Sequence, residues 1–369
     1  MKVLQVINSL EIGGGAEKLV LDLALLLKKR GIHVEVLSIK NPYLSSNGSY
    51  CDILKRQGIP VHFLNNSKFY APINIYRCYR FLKNNKYDIV HSHLFPTLYI
   101  VAGANCRSSF RTTLIATEHA TTNNRRSILL FKLLDKLVYK SYSQVICISE
   151  GTKESLNLYL NQRMNMIVIN NGIDNVAFYE AEPISIKSLL KVNNTPFLIL
   201  QIASFRKAKD QDTLIHAMTY LPNDIHVAFA GDGERISLCK KIVEKLNLQN
   251  RVHFLGVRND LPCIIKSADV VVVSSHWEGF GLAAVEGMAS GKPVVASNVK
   301  GLAEVVRGAG MLFEQGDFAE LARLILQLKN DKLLYISVSE KCIIRAEKYN
   351  IKRMTNEYEN VYSNYKSNT

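Results

Sequence analysis

Residues 269–297 constrain the fold of this chain more than any other stretch. Val270–Val273 is a short, unbroken β-branched run, the pattern of a strand covered on both faces in a parallel sheet. Residues 277–281 follow as a turn holding Gly279 and Gly281, and residues 282–290, rich in Ala, Met and Glu, predict a helix. Gly291 can end that helix, Pro293 stops it, and residues 294–296 open the next strand. A strand, a glycine turn, a helix and a second strand in this order select an α/β fold built on a parallel sheet.

The same stretch has the makings of an anion site. The first N–H groups of a helix are unpaired and carry partial positive charge. Gly279 and Gly281, beside Phe280, let backbone approach a phosphate closely. Two carboxylates flank the turn. Glu286 lies four residues after Leu282, on the same helical face and roughly 5 Å deeper. A phosphate on the Leu282 N–H would leave Glu286 within reach of an attached ribose. Glu278 would face the group on the other side of the phosphate. This geometry suits a nucleoside diphosphate that carries a sugar.

Strand–helix alternation runs along the rest of the chain. Residues 3–7 read as a first strand, a helix spans about 16–29, and residues 34–39 form a second strand. Between the first two lies Gly13-Gly14-Gly15. The dinucleotide fingerprint G-x-G-x-x-G fails here, because Lys18 stands at its third place. The loop serves either tight packing or the close approach of a phosphate or acceptor. His91 and His93 end one strand and His119 another, and ligands of open parallel sheets gather at the carboxyl ends of strands. His91 and His93 read as sheet or loop residues.

The net charge is +14, and residues 1–180 carry +10 of it, with 22 Lys and Arg against 12 Asp and Glu. That excess predicts an anionic partner surface on the first half. No nucleic-acid-binding motif accompanies it, so anionic lipid or a phosphate-linked acceptor is expected instead. Residues 125–142 stand out. Arg125 and Arg126 precede a leucine-rich stretch in which Lys132, Lys136 and Lys140 recur every four residues. Such a basic amphipathic helix either packs on the sheet with a solvated lysine stripe or rests on a membrane. No apolar run reaches the ~18 residues of a membrane span. The seven cysteines are scattered without a C-x-x-C pair, which predicts reduced thiols, a cytoplasmic setting and neither zinc nor disulfides.

The segment Glu278-x7-Glu286, E-G-F-G-L-A-A-V-E, resembles the signature of glycosyltransferase family 4, which has the GT-B fold. The stretches Ala230-Gly231-Asp232-Gly233 and Ala289-Ser290-Gly291-Lys292-Pro293-Val294-Val295-Ala296 are similar to the same family. The resemblance implies two Rossmann-like domains whose parallel sheets face each other across a cleft. The expected boundaries are 1–180 for the acceptor domain and 181–349 for the nucleotide-sugar domain, with a last helix, about 350–369, returning to the first. It implies a retaining, metal-independent transfer of a hexose or N-acetylhexosamine from a nucleoside diphosphate sugar, UDP ahead of GDP. The acceptor would be a glycan or a polyprenyl-linked glycan of a cell-surface polysaccharide pathway. The protein would be cytoplasmic or peripheral on the inner face of the cytoplasmic membrane, with no cofactor and no nucleic-acid partner.

The resemblance also assigns roles. His119 matches a position that contacts the donor sugar, and Gly14 and Gly15 lie in a loop facing the cleft. Lys209 matches a lysine that neutralises the diphosphate, and main chain near Val257 and Arg258 would meet the base. The family's arginine five residues before that lysine is Ser204 here. If residues 204–206 are extended, Arg206 points the same way and supplies the charge. Asp210-Gln211-Asp212 looks like a D-x-D metal motif, but its place at a helix start predicts a cap. Two other readings remain open: a GT-B-type sugar-nucleotide epimerase, and a non-catalytic sugar-nucleotide-binding subunit.

Overall fold

The structure, a computed structural model, describes residues 1–41, 48–64, 70–106, 112–161 and 164–366. It divides into two compact units, residues 1–171 with 351–369, and residues 172–350. Of the expected returning tail, residues 367–369 lie outside the described residues.

Unit one begins β1 (Lys2–Ile7), α1 (Gly15–Lys29), β2 (His33–Ser38), α2 (Cys51–Arg56), β3 (Val61–Phe63) and α3 (Ile73–Asn84). It continues β4 (Ile89–His93), α4 (Thr97–Asn105), β5 (Thr113–Glu118), α5 (Leu129–Lys140), β6 (Gln144–Cys147), α6 (Glu150–Leu160) and β7 (Met166–Val168). Its seven strands are parallel and ordered β3-β2-β1-β4-β5-β6-β7. Helix α1 follows from its residues. Ala16, Leu19, Val20, Leu23, Ala24 and Leu27 recur at helical spacing and are all buried. The helix ends in a Schellman turn: Gly31, at φ +80°, donates to the Lys28 carbonyl at 2.9 Å and Ile32 to that of Leu27 at 3.1 Å.

Unit two holds α7 (Asn175–Tyr179), α8 (Ile186–Leu190), β8 (Phe197–Ile202), α9 (Gln211–Ala217), β9 (Ile225–Ala230), α10 (Ile236–Lys245), β10 (Val252–Gly256) and α11 (Leu261–Ser267). It closes with β11 (Val270–Val273), α12 (Leu282–Ala289), β12 (Val294–Ser297), α13 (Leu302–Val306), β13 (Met311–Phe313), α14 (Phe318–Asn330) and α15 (Lys332–Glu347). Six parallel strands run in the order β10-β9-β8-β11-β12-β13. The run 270–273 is β11, buried throughout near the middle of this sheet. Residues 172–180 were expected in the first domain but belong to unit two. The reason is local: α7 packs on α11 and α12, and Asn175 Nδ2 donates to the Ala346 carbonyl at 2.8 Å.

The last helix, α16 (Ile351–Lys366), belongs to unit one and buries Met354, Tyr358 and Tyr362 against α1 and the underside of that sheet. Both sheets reverse strand order, between β1 and β4 in unit one and between β8 and β11 in unit two. Ligands of open α/β sheets bind outside the carboxyl ends of the strands at such points. No helix among the described residues is long and apolar enough to cross a membrane.

Candidate functional site

In unit two the switch point gathers residues far apart in sequence. The loop after β8 carries Ser204, Arg206 and Lys209; the loop after β11 carries Glu278. The loops are tied together. Gln201 Nε2 donates to the Lys209 carbonyl at 2.9 Å and to Ser274 Oγ at 3.1 Å, and Ser274 Oγ donates to the Asp210 carbonyl at 2.7 Å. The His276 N–H adds a bond to the Ala208 carbonyl at 2.8 Å. Lys209 is thereby held beside Glu278, and its ammonium is paired with the Glu278 carboxylate. Ser275 Oγ donates to the same carboxylate oxygen at 3.2 Å.

Glycines set this geometry where no other residue fits. Gly281 caps α12 in the left-handed region, φ +95°, and a Cβ there would meet Leu302 Cδ1 at 2.5 Å. At Gly301, φ +82°, a Cβ would sit 2.5 Å from the Glu278 carbonyl, so this glycine lets the Glu278 turn fold down. Leu282 starts α12, and Glu286 lies one turn in, half-buried. Phe280 is buried edge-on to Tyr349, with ring centroids 5.1 Å apart. Val257 is exposed after β10, and Arg258 is held by Asp260 through bonds of 2.9 and 2.6 Å.

Two expectations about the loop after β8 receive different answers. Asp210 is the N-cap of α9, accepting from the Thr213 N–H at 3.4 Å and its hydroxyl at 2.5 Å, as the cap reading expects. Among the described residues no cluster of His, Cys, Asp and Glu could hold a metal ion. Residues 204–206 are not extended. The Arg206 N–H closes a three-residue turn onto the Ser204 carbonyl at 2.9 Å, around the buried Phe205. The alternation that was to place Arg206 in the space left at Ser204 therefore does not hold. Arg206 is exposed instead.

In unit one the glycine loop leads straight into a helix: Gly13 has φ +119°, Gly14 is the N-cap of α1, and Gly15 opens it. Across the switch point lies a buried polar chain. Gln5, on β1, donates from Nε2 to the Tyr362 hydroxyl at 3.0 Å, and Gln5 Oε1 lies 2.7 Å from His93 Nε2. With the amide oriented so, His93 carries its proton on Nε2 and accepts at Nδ1 from His119 Nε2, 3.2 Å away. His119 keeps Nδ1 as an acceptor. Tyr362 donates to His91 Nδ1 at 2.6 Å, and His91 Nε2 donates to Thr117 Oγ1 at 2.7 Å. Burial keeps these rings neutral: it lowers His91 to about 3, His93 well below the usual value, and His119 to about 4, with Glu118 opposing the last shift in part. His91 and His93, read from sequence as sheet or loop residues, stand directly behind His119. Histidines alternating at a strand end were the available signal; Gln5 and Tyr362 gave none.

Arg125 and Arg126 correct another expectation. Both are almost fully buried, so neither is placed to meet lipid, as the membrane reading of residues 125–142 requires. Arg125 Nε donates to Asp135 at 3.1 Å, with its guanidinium 4.4 Å from the centre of the Phe95 ring. Arg126 pairs with Glu118 at 3.3 Å and donates to the Thr121 carbonyl at 2.7 Å. Burial would raise the Glu118 carboxyl, but Arg126 and Arg125 hold it below the usual range. These arginines brace the segment after β5, which carries His119.

Two Rossmann-like parallel-sheet units, each with polar residues gathered at its switch point, define the GT-B class. Residues 13–175 match the family described as Glycosyltransferase Family 4, and residues 185–349 match Glycosyl transferases group 1. The chain is 30% identical over 287 residues to UDP-Gal:alpha-D-GlcNAc-diphosphoundecaprenol alpha-1,3-galactosyltransferase of Escherichia coli, covering 72% of each chain. It is 25% identical over 199 residues to N-acetyl-alpha-D-glucosaminyl L-malate synthase of Bacillus anthracis, covering 53% of this chain and 52% of that one. Anabaena HepE, solved in complex with UDP-glucose, shares the fold with a TM-score of 0.86 at 24% identity, over 99% of this chain and all of HepE. The sucrose-phosphate synthase of Thermosynechococcus elongatus does so with a TM-score of 0.84 at 20% identity, over the whole of both chains. The chain belongs to glycosyltransferase family 4 and is a glycosyltransferase that uses nucleotide sugars.

Proposed function

We propose that the chain moves a hexose or N-acetylhexosamine from a UDP-sugar, with GDP as the second candidate, to a glycan or polyprenyl-linked glycan acceptor, retaining the anomeric configuration. The product would feed a cell-surface polysaccharide, made on the cytoplasmic side at an anionic membrane surface. The pairing of Lys209 with Glu278 beside the α12 N-terminus carries this reading. A diphosphate arriving at that N-terminus offers Lys209 a second anionic partner. Glu278 can then also accept from sugar hydroxyls, and Glu286, one turn deeper, from ribose hydroxyls. The bond from the anomeric carbon to the β-phosphate oxygen breaks, and the acceptor oxygen bonds to that carbon on the same face. The acceptor proton passes to the departing phosphate oxygen. Charge developing on the diphosphate is met by Lys209 and the α12 N–H groups, so the reading requires no metal.

The name of the Escherichia coli relative gives UDP-Gal as donor and a diphosphoundecaprenol-linked acceptor, which supports this choice of donor and acceptor class. The test is a panel of UDP- and GDP-sugars with a short-chain prenyl-diphosphate glycan and with no acceptor, read by NMR for the anomer formed. A retained glycosidic product that survives chelation of metal ions is expected. Acceptor-free conversion of one UDP-sugar into its epimer would overturn the reading. So would saturable nucleotide-sugar binding without turnover of any donor.

A further inference from the structure

Helix α5 is built inside out. Its buried side is polar. Asp135 is fully buried and accepts from Tyr99 at 2.8 Å, Tyr159 at 2.9 Å and Arg125, while buried Tyr139 donates to Glu118. Its solvent side is apolar: Leu129 is 74% exposed, Leu137 66%, Leu130 64% and Leu133 58%. At 3.6 residues per turn these leucines and the partly exposed Leu134 fill an arc of roughly 140° opposite Asp135. Lys132, Lys136 and Lys140 run along one margin of that arc, and among the described residues none of the three has an ion-pair partner. At the inner edge of the helix, half-buried aromatic rings adjoin the exposed Tyr70. Phe131 lies edge-on to Phe95, centroids 6.2 Å apart, and Phe95 contacts the exposed Tyr70 at 5.7 Å. A contiguous exposed apolar face of this kind marks an interaction site.

Building on the reading that the acceptor is lipid-linked, we propose that this face lies in an anionic membrane surface. The leucines of α5 would sit among the acyl chains, with Lys132, Lys136 and Lys140 at the level of the lipid phosphates. Charge selects this occupant. A strip of leucine bordered by lysine matches an apolar layer bordered by phosphates. A second copy paired antiparallel through the same face would bring two lysine rows together, and in either orientation the face offers them no counter-charge, since the only acid of α5, Asp135, is buried. Position agrees with it. The strip begins ten residues after His119, and Arg126 ties its start to Glu118, so an acceptor carried on a lipid would be presented beside the strand end that holds His119.

The test is co-sedimentation of the full chain with vesicles of phosphatidylcholine, with and without phosphatidylglycerol, at low and high salt. Binding to the phosphatidylglycerol vesicles is expected. Leu130→Ser/Leu133→Ser/Leu137→Ser should weaken it by more than about 30-fold without lowering the melting temperature, because these side chains already face water. Lys132→Gln/Lys136→Gln/Lys140→Gln should weaken it about fivefold per lysine. Unchanged binding of the leucine variant would overturn the proposal. A concentration-dependent dimer that the leucine variant dissolves, with no vesicle binding, would also overturn it and assign the face to self-association. Turnover of UDP-sugars on a short-chain prenyl-diphosphate glycan, measured on the same preparations, separates the two readings: turnover without vesicle binding refutes the surface alone, and vesicle binding without turnover refutes the proposed donor and acceptor alone.

Discussion

Glu278→Gln should tighten the binding of free UDP while it slows transfer. In the unliganded chain Glu278 occupies the ammonium of Lys209, the cation that a diphosphate needs. The two side chains are 27% and 16% exposed, so the pair is partly screened and lies near the top of the range for surface ion pairs, about 1 kcal/mol. Removing that competition should lower the dissociation constant of UDP about fivefold. Gln keeps the shape and the Ser275 contact but loses the charged acceptor facing the sugar. A lost charge-assisted bond costs ~1.5–3 kcal/mol, a fall in kcat/KM of roughly 13- to 150-fold. Isothermal titration with UDP and initial rates with the UDP-sugar report the two effects separately. Lys209→Ala provides the contrast, because it should weaken both. If Glu278→Gln weakens UDP as much as Lys209→Ala does, the pair works as one binding unit and the competition argument is wrong.

Glu286→Ala should weaken free UDP itself by ~1.5–3 kcal/mol, since the lost partner is ribose; unchanged affinity in titration would remove that assignment. Acid should destabilise unit one early. His91 and His93 are neutral when folded and regain an ordinary value near 6.5 when unfolded, so the unfolded chain binds more protons between about pH 6.5 and the lowered folded values, and stability falls as pH falls through that window. Urea unfolding at pH 7 and pH 5 should differ by about 2 kcal/mol per histidine, and the difference should shrink on His91→Phe. Glu35 is a separate case. Burial would raise it, but bonds from Tyr87, Lys2, His33 and His62 hold it at about 2, so its contribution persists down to about pH 4.5 and is lost only between there and 2. Asp135→Ala should cost ~3–5 kcal/mol, because Arg125 stays buried without its partner, whereas Leu133→Ser should change stability by less than about 0.5 kcal/mol; equal losses in thermal melts would refute the inverted assignment of the α5 faces.

Elements with a strong local pattern were legible in the sequence. The Val270–Val273 strand, the glycine turn and α12 follow from β-branched residues, left-handed glycine and helix formers that all agree locally. The cap at Asp210 was legible for the same reason. Strand order was not, because parallel neighbours such as β8 and β11 lie some seventy residues apart and leave no local mark. That order is what sets Lys209 against Glu278. The Ser204–Arg206 alternation failed because Phe205 turns inward to the Phe229 and Phe254 rings and bends the chain into a tight turn. In α5 the spacing of Lys132, Lys136 and Lys140 predicted the helix but not which side is buried. Asp135 and Tyr139 take the inner side through paired charges and hydroxyls, which periodicity does not register.

Helix α16 gives unit one a discontinuous chain. Tyr358 and Tyr362 fill its core, and Tyr362 bonds both Gln5 and His91. On the ribosome, residues 172–350 are made between the first part of that unit and its last helix. At ~5–20 residues per second this interval is of the order of 10–35 s. For that time the nascent first unit carries an open apolar groove, and His91 Nδ1 and Gln5 Nε2 lack their Tyr362 partner, while unit two can already fold. The polar relay behind His119 is therefore completed only after unit two has been made, and until then the groove must be kept from other nascent chains.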